Sequence, residues 1–283
     1  MSSTKILVCC HKNDIMEMAE PYLPIQVGKE LSTVKMDIQG DDEGDNISKK
    51  NQSFCELTGL YWAWKNLKGV EVIGICHYRR YFDFHAQVPF WAPYKVISTE
   101  DFDKYDKSVP LKIIEEIHNG AVVASRKTIC DQSLAGDYCM CHLSDDLRTL
   151  QTVFKDTQTN SFQSAFFKVM FQNNKKSTYN MFIMSWNDFN DYCSWLFDIL
   201  FEVENRIDIS HYNSVQKRIY GYMGERLLNV WLEATGKRVI EKPILWFSDS
   251  DDGMKHTSMV RYLLRTTMNN LAMQLSKPKH RVY

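Results

Sequence analysis

Short apolar runs recur along the chain, and the spacing of apolar positions switches between the strand and helix periods. Residues 5–10 are apolar after Lys5 and stop at His11-Lys12-Asn13-Asp14, which predicts a buried first strand. Residues 32–51 show no apolar periodicity and read as a polar loop, with Gly40, Gly44 and four acidic residues between positions 40 and 48. In residues 55–67, Leu57, Leu60, Tyr61, Trp64 and Leu67 fall at helical spacing, and Lys68-Gly69 closes that helix. Residues 71–77 predict a second buried strand, which runs into His77-Tyr78-Arg79-Arg80-Tyr81-Phe82. Ser98-Thr99-Glu100-Asp101 reads as a helix start, 110–118 as a short helix stopped by Asn119-Gly120, and 121–124 as a short strand.

Helices fill 133–170 with a break near 155–160, and 179–186 predicts a third strand. Asn187-Asp188 is expected to cap a long helix reaching about 204. A helix over 224–233, a strand over 238–247, a polar turn over 248–253 and an amphipathic helix over 255–276 complete the pattern. Strands alternating with helices imply an α/β protein with a mixed, mainly parallel sheet. No Gly-x-Gly-x-x-Gly follows the first strand and no Walker-type lysine loop occurs, which weighs against a dehydrogenase or an ATPase.

The length of 283 residues suits one domain over 1–283, with a C-terminal helical extension over about 255–283. Lys plus Arg number 34 against 35 Asp plus Glu, a balance that argues against a nucleic-acid partner. The first apolar run is too short for a signal-peptide core, and no run approaches the ~20 residues of a membrane span. A cytoplasmic location is therefore expected. Cys9, Cys10, Cys76 and Cys193 sit in apolar segments and read as small core residues. Cys139-Met140-Cys141-His142 lacks a second ligand pair, so no metal site is expected there.

The strand tip carries the sharpest chemistry. Two guanidiniums at the end of an apolar strand imply an anion or a carboxylate beside them. If residues 76–82 stay extended, His77, Arg79 and Tyr81 share one face and Tyr78, Arg80 and Phe82 the other. One arginine then faces a ligand phosphate while its neighbour pairs with an acidic side chain; a buried structural ion pair is the plain alternative. In a nucleotide-binding α/β fold, His11 and Lys12, ending the first strand, are natural base or phosphate contacts, although a lone histidine is more often simply a hydrogen-bonded residue. In the 40–48 loop, Asp45 and Asn46 can bond ribose, base or sugar hydroxyls, or can simply form a solvated turn. Glu225 is expected in the first turn of its helix, where it can accept a proton, although a glutamate is common at helix starts. Trp62, Trp64, Tyr78, Tyr81, Phe82, Phe90 and Trp91 offer stacking surfaces or core packing. The helix over 255–276 and the basic residues 277–281 suit either a peripheral contact with an anionic membrane surface or packing on the domain.

Several longer motifs are shared with one bacterial family. They are the Gly-Asp-Asp-x-Gly-Asp-Asn-Ile-Ser loop at 40–48, Cys-Glu-Leu-Thr…Tyr-Trp-Ala-Trp-Lys-Asn at 55–66 and His-Tyr-Arg-Arg-Tyr-Phe at 77–82. Asn-Met-Phe-Ile-Met at 180–184, Tyr-Cys-x-Trp-Leu-Phe at 192–197 and Gly-Tyr-x-x-Glu-Arg-Leu-Leu-Asn-Val-Trp-Leu at 221–232 extend the likeness over nearly the whole chain. The sequence resembles bacterial galactofuranosyltransferases of capsule, O-antigen and exopolysaccharide biosynthesis, formerly a domain of unknown function.

The resemblance implies a GT-A-like nucleotide-sugar-binding α/β fold with additional C-terminal helices, a UDP-galactofuranose donor and a lipid-linked or oligosaccharide acceptor. Inverting transfer is expected, with Glu225 as the base by analogy with the helix-start acid below GT-A sites, Asp188 and Asp131 being rivals, and with Arg79 or Arg80, helped by His77, on the departing diphosphate. The expected donor contacts are His11, Lys12, Asp45, Asn46, His77 and Asn180. By chain order, residues 77–80 stand where such enzymes carry a metal-binding Asp-x-Asp, so no cofactor is expected and an arginine takes over the charge of a divalent metal. Asp101-x-Asp103 and Asp249-x-Asp251 are the spare metal candidates. A UDP-pyranose donor, or a non-catalytic nucleotide-sugar-binding subunit of an assembly complex, stay open as alternatives.

Overall fold

The computed structural model describes residues 3–250 and 258–276. The strands are β1 Thr4–Cys10, β2 Tyr22–Gln26, β3 Gln39–Gly40, β4 Val72–His77, β5 Arg80–Phe82, β6 Tyr94–Ile97, β7 Ala121–Ser125, β8 Thr128–Ile129, β9 Lys175–Lys176, β10 Phe182–Ser185, β11 Arg238–Lys242 and β12 Ile244–Phe247. The helices are α1 Asn51–Phe54, α2 Leu57–Asn66, α3 Leu111–His118, α4 Leu134–Cys141, α5 Ser144–Thr157, α6 Asn160–Phe171, α7 Trp186–Arg206, α8 Ile219–Thr235 and α9 Met259–Ser276.

The expected α/β class holds. The main sheet runs β11-β7-β10-β4-β1-β2-β3 and is mixed and mainly parallel, with β10 antiparallel to both β4 and β7. A branch leaves it at β4: β5 turns back against β4, β12 pairs β5, and β6 pairs β12. Side chains on the central strands alternate between two cores. Leu7, Cys9, Ile73, Ile75, Phe182 and Met184 face one, shared with α2, α7 and α8. Ile6, Val8, Val72, Cys76 and Ile183 face the other, shared with α3 and the branch. Covering both faces is why these strands read as continuous apolar runs.

Four local expectations need correction. Residues 76–82 are not one extended strand: β4 stops at His77, Tyr78-Arg79 turn, and Arg80 comes back opposite His77. The alternation expected across 76–82 therefore fails. The strand expected over 179–186 begins only at Phe182, because Tyr179 and Asn180 both have positive φ. Its following helix is capped by Ser185, whose hydroxyl accepts from Asp188 N–H at 3.2 Å. The run 238–247 is two strands split at Pro243, which cannot donate to a ladder.

Strands β2, β5 and β6 carry weak signals in the sequence; each is short and follows or precedes a loop. The amphipathic helix expected over 255–276 is α9; positions 255–257 and the basic residues 277–281 lie outside the described residues.

Candidate active site

Chain order in the main sheet reverses between β1 and β4, since β2 and β3 lie to one side of β1 and later strands beyond β4. Ligands of open α/β sheets bind beyond the carboxyl ends of strands at such a reversal. A cleft of about 1010 Å³ opens there. The carboxyl ends of β1 and β4 form its floor, and β10, being antiparallel, brings its amino end to the same edge. The start of α2, the first turns of α8 and Trp246 of β12 supply walls.

The two adjacent arginines have different surroundings. Arg79 donates from Nη2 to Asp14 at 2.7 Å. Arg80 has no ion pair among the described residues, and its buried Nε has no partner. Its guanidinium instead sits in a corner of two rings, 4.7 Å from the centre of Tyr179 and 4.6 Å from that of Trp246. Aromatic faces favour the cation without neutralising it. Pairing Trp246 with Arg80 across β12 and β5 fixes this corner through the backbone.

His77 is held by Tyr179, whose carbonyl lies 2.7 Å from Nε2. A carbonyl only accepts, so Nε2 carries the hydrogen and Nδ1 is left with the lone pair in the neutral ring. Burial lowers the His77 pKa below its ordinary 6.5; Glu56 opposes the shift and Arg80 adds to it. His77 is thus a neutral polar group at pH 7, not a third cation.

Two carboxylates border the cleft. Glu225 was expected in a first helical turn, but α8 starts at Ile219 and places it in the second turn, away from the exposed N–H groups of the helix end. Both of its oxygens are engaged: Oε2 accepts from Tyr179 N–H at 2.7 Å, and Oε1 lies 3.2 Å from Lys176 Nζ. Lys176 also bonds Asp137, which takes Arg226 as well. Glu56, immediately before α2, accepts at 2.6 Å from Asn180 Nδ2 and has no ion pair among the described residues. The same Nδ2 reaches Gly221 O at 3.2 Å, and the buried Asn180 Oδ1 has no partner. Tyr179 and Asn180 hold φ values of 70° and 54°, a rare conformation for side-chain-bearing residues and more so for tyrosine. The turn is over-determined by Glu225 on one amide and Glu56 on one side chain.

Of the residues expected to bind a donor, His11, His77 and Asn180 line the cleft, together with Arg79, Arg80 and Glu225. His11 meets Tyr78 edge-on at 5.6 Å, and burial with Lys12 and Arg218 lowers its pKa. Lys12, Asp45 and Asn46 are not among the lining residues. Lys12 lies 3.5 Å from Asp14. Asp45 accepts from Tyr61 and Asn66, and Asn46 bonds the carbonyls of Asp42 and Gly44, so both tie the loop to itself and to α2. Trp62 is core, and Trp64 stacks on Phe197. The sequence reading missed Glu56, Lys217, Arg218, Tyr179 and Trp246. A glutamate just before an apolar helix was the available signal for the first; the others become neighbours only through the fold.

The strand tip of the cleft carries guanidiniums, and no cluster of three or more His, Cys, Asp or Glu able to hold a metal occurs among the described residues. Asp101 pairs with Lys104, and Asp249 caps the 3₁₀ turn at Thr99–Lys104 by accepting from Ser98 and Thr99. Asp251 lies outside the described residues. Arg79, Arg80, Lys217 and Arg218 outnumber the two lining carboxylates, so the arrangement favours an anionic ligand.

The family described as "Domain of unknown function (DUF4422)" matches residues 5–237. A solved structure titled "WbbM bifunctional glycosytransferase apo structure" is similar over 88% of this chain, at 26% identity and a TM-score of 0.76. The match spans 46% of that protein's chain, so this protein corresponds to less than half of it. No curated protein matches.

Proposed function

The chain belongs to the DUF4422 family, and on that footing we propose that it is a glycosyltransferase acting on an anionic nucleotide-sugar donor. The observation that carries the reading is Arg80: a guanidinium with no carboxylate partner among the described residues, in an aromatic corner at the mouth of β4. The similarity to a structure titled as a glycosyltransferase supports the class of chemistry. The resemblance of the sequence motifs to those of bacterial galactofuranosyltransferases supports UDP-galactofuranose as donor and a lipid-linked glycan as acceptor.

In the proposed step, the acceptor hydroxyl oxygen attacks the anomeric carbon opposite the diphosphate. The new C–O bond forms as the bond to the diphosphate oxygen breaks, and that oxygen leaves with the electron pair. Arg80 offsets the charge growing there, with Lys217 and Arg218 adding positive potential across the cleft. The hydroxyl proton goes to a carboxylate. Glu56 is better placed for this than Glu225, because Glu225 already has an N–H donor at each oxygen while Glu56 has one amide donor. Glu225 then acts as a positioning residue that fixes the Tyr179–Asn180 turn. The step needs no divalent ion, since fixed guanidiniums supply the charge.

The test is a donor panel. Purified protein is incubated with UDP-galactofuranose, UDP-galactopyranose and UDP-glucose, with and without EDTA, and UDP release and glycan product are followed. Galactofuranosyl transfer that survives EDTA supports the reading in full. Transfer from a pyranose donor overturns the donor assignment. UDP binding without transfer or hydrolysis on any donor and acceptor tried favours a binding subunit, and activity restored only by manganese overturns the arginine role.

A further inference from the structure

Helix α9 lies against the protein along one narrow stripe. Tyr262 packs on Trp91 with ring centres 5.3 Å apart, Thr266 and Met273 are buried, and Asn269 O accepts from Asn174 at 3.2 Å. These four positions advance by four, three and four residues, so they share one face. Arg265 and Asn269 both reach Asp131, which pins the same side.

The opposite face is apolar. Val260, Leu264, Met268, Leu271 and Leu275 repeat at the same spacing about half a turn away, and each is 60% or more exposed. A soluble surface scatters such residues singly; five in a continuous stripe mark a docking surface. Arg261 flanks the stripe. The sequence from 254 to 283 contains six Lys and Arg and no Asp or Glu, although the whole chain carries a net charge of −1. Positive charge is therefore concentrated in the stretch of sequence that contains α9.

We propose that α9 is an interfacial membrane-binding helix, its apolar stripe entering the surface of an anionic bilayer while its cations meet lipid phosphates. Charge selects this occupant. A second copy would bring an equally basic helix with no acidic residue to pair, whereas anionic lipid complements both the stripe and the flank. The helix lies on the surface and does not span: no helix among the described residues is long and apolar enough to cross a membrane. The inference stands apart from the glycosyltransferase reading.

Co-sedimentation of the full-length protein with vesicles tests it. Vesicles containing phosphatidylglycerol should carry the protein down and phosphatidylcholine vesicles should not, with binding weakened by salt. The triple variant L264E/M268E/L271E should stay in solution, with an unchanged melting temperature because these side chains are exposed. The variant R261Q should bind roughly 5-fold more weakly, from about 1 kcal/mol per cation near the surface. Equal recovery with both vesicle types, or unimpaired binding of the triple variant, overturns the proposal. So does a wild-type dimer that shows no vesicle binding and that the triple variant turns into a monomer.

Discussion

Asn180 Nδ2 donates to Glu56 at 2.6 Å across 124 residues of sequence, joining the amino end of β10 to the start of α2 in the lining of the cleft. The orientation of the amide is dictated, because its second neighbour, Gly221 O, also only accepts. Replacing Asn180 with Asp sets two carboxylates against each other. N180D should lose about 1–3 kcal/mol of stability at pH 7. Thermal melts should show the deficit shrinking at acidic pH, where one of the pair takes up a proton.

Removing the proposed base separates binding from chemistry. E56Q keeps the shape of the side chain and should lower turnover roughly 10²- to 10⁴-fold while UDP affinity stays within a few-fold. E225Q instead loosens the Tyr179 turn and leaves Lys176 with Asp137 alone, so melting temperature and turnover should fall together. A near-normal rate for E56Q in single-turnover measurements would move the proton acceptor elsewhere.

Neighbouring arginines should give opposite phenotypes. R80A removes a charge that has no ion pair among the described residues and should cost about 10²- to 10³-fold in turnover with little change in stability. R79A leaves Asp14 without its guanidinium, so its main effect should be a lower melting temperature. Burial would raise the Asp14 carboxyl, but the Ile15 amide and Arg79 together hold it below its ordinary value. The acid stability of R79A should therefore differ less from its neutral stability than in the parent.

Stability should decline as the pH falls below 6.5. Burial, with Arg226 assisting, lowers the His142 pKa to about 4, while the unfolded side chain titrates near 6.5. Between those values the unfolded chain binds more protons than the folded one, so acidification favours unfolding. His77, also lowered by burial, acts in the same direction. Melting temperatures followed from pH 7.5 to pH 4.5 (roughly the window set by these histidines) should drop steadily. The drop should be smaller in H142F.

Gly74 lies where β4 meets β10, and a Cβ there would come within 2.8 Å of Ile183 and 3.0 Å of the Phe182 carbonyl. The second contact is backbone and cannot rotate away. G74A should destabilise the protein by about 1–3 kcal/mol, measured by urea unfolding.

The sequence was legible where burial writes a simple pattern. β1, β4 and β7 are covered on both faces, so their apolar runs stand out, and α2, α3 and α7 show helical spacing. Short strands at the branch, such as β5 and β6, carry too few residues to show a period. Different environments for Arg79 and Arg80 were foreseeable from the oddity of two charges after an apolar strand. The reason given for them, alternation along one strand, fails at the turn after His77. Glu56, Asn180 and Trp246 meet only through pairings between distant segments, and no local pattern could have announced that. Glu225 is in the second turn rather than the first because α8 begins at Ile219, with Gly221 and Gly224 inside it, against Cys55 and Leu57.

The split at Pro243 sets an order of assembly. Up to Lys242 the chain has completed the seven-strand sheet, yet the corner around Arg80 still lacks Trp246 and the partner strand of β5. On a ribosome the cleft is thus among the last parts to mature, and a chain cut before Ile244 should retain much of its helical signal while losing the proposed hold on a nucleotide. Binding competence reports whether synthesis has gone past that strand.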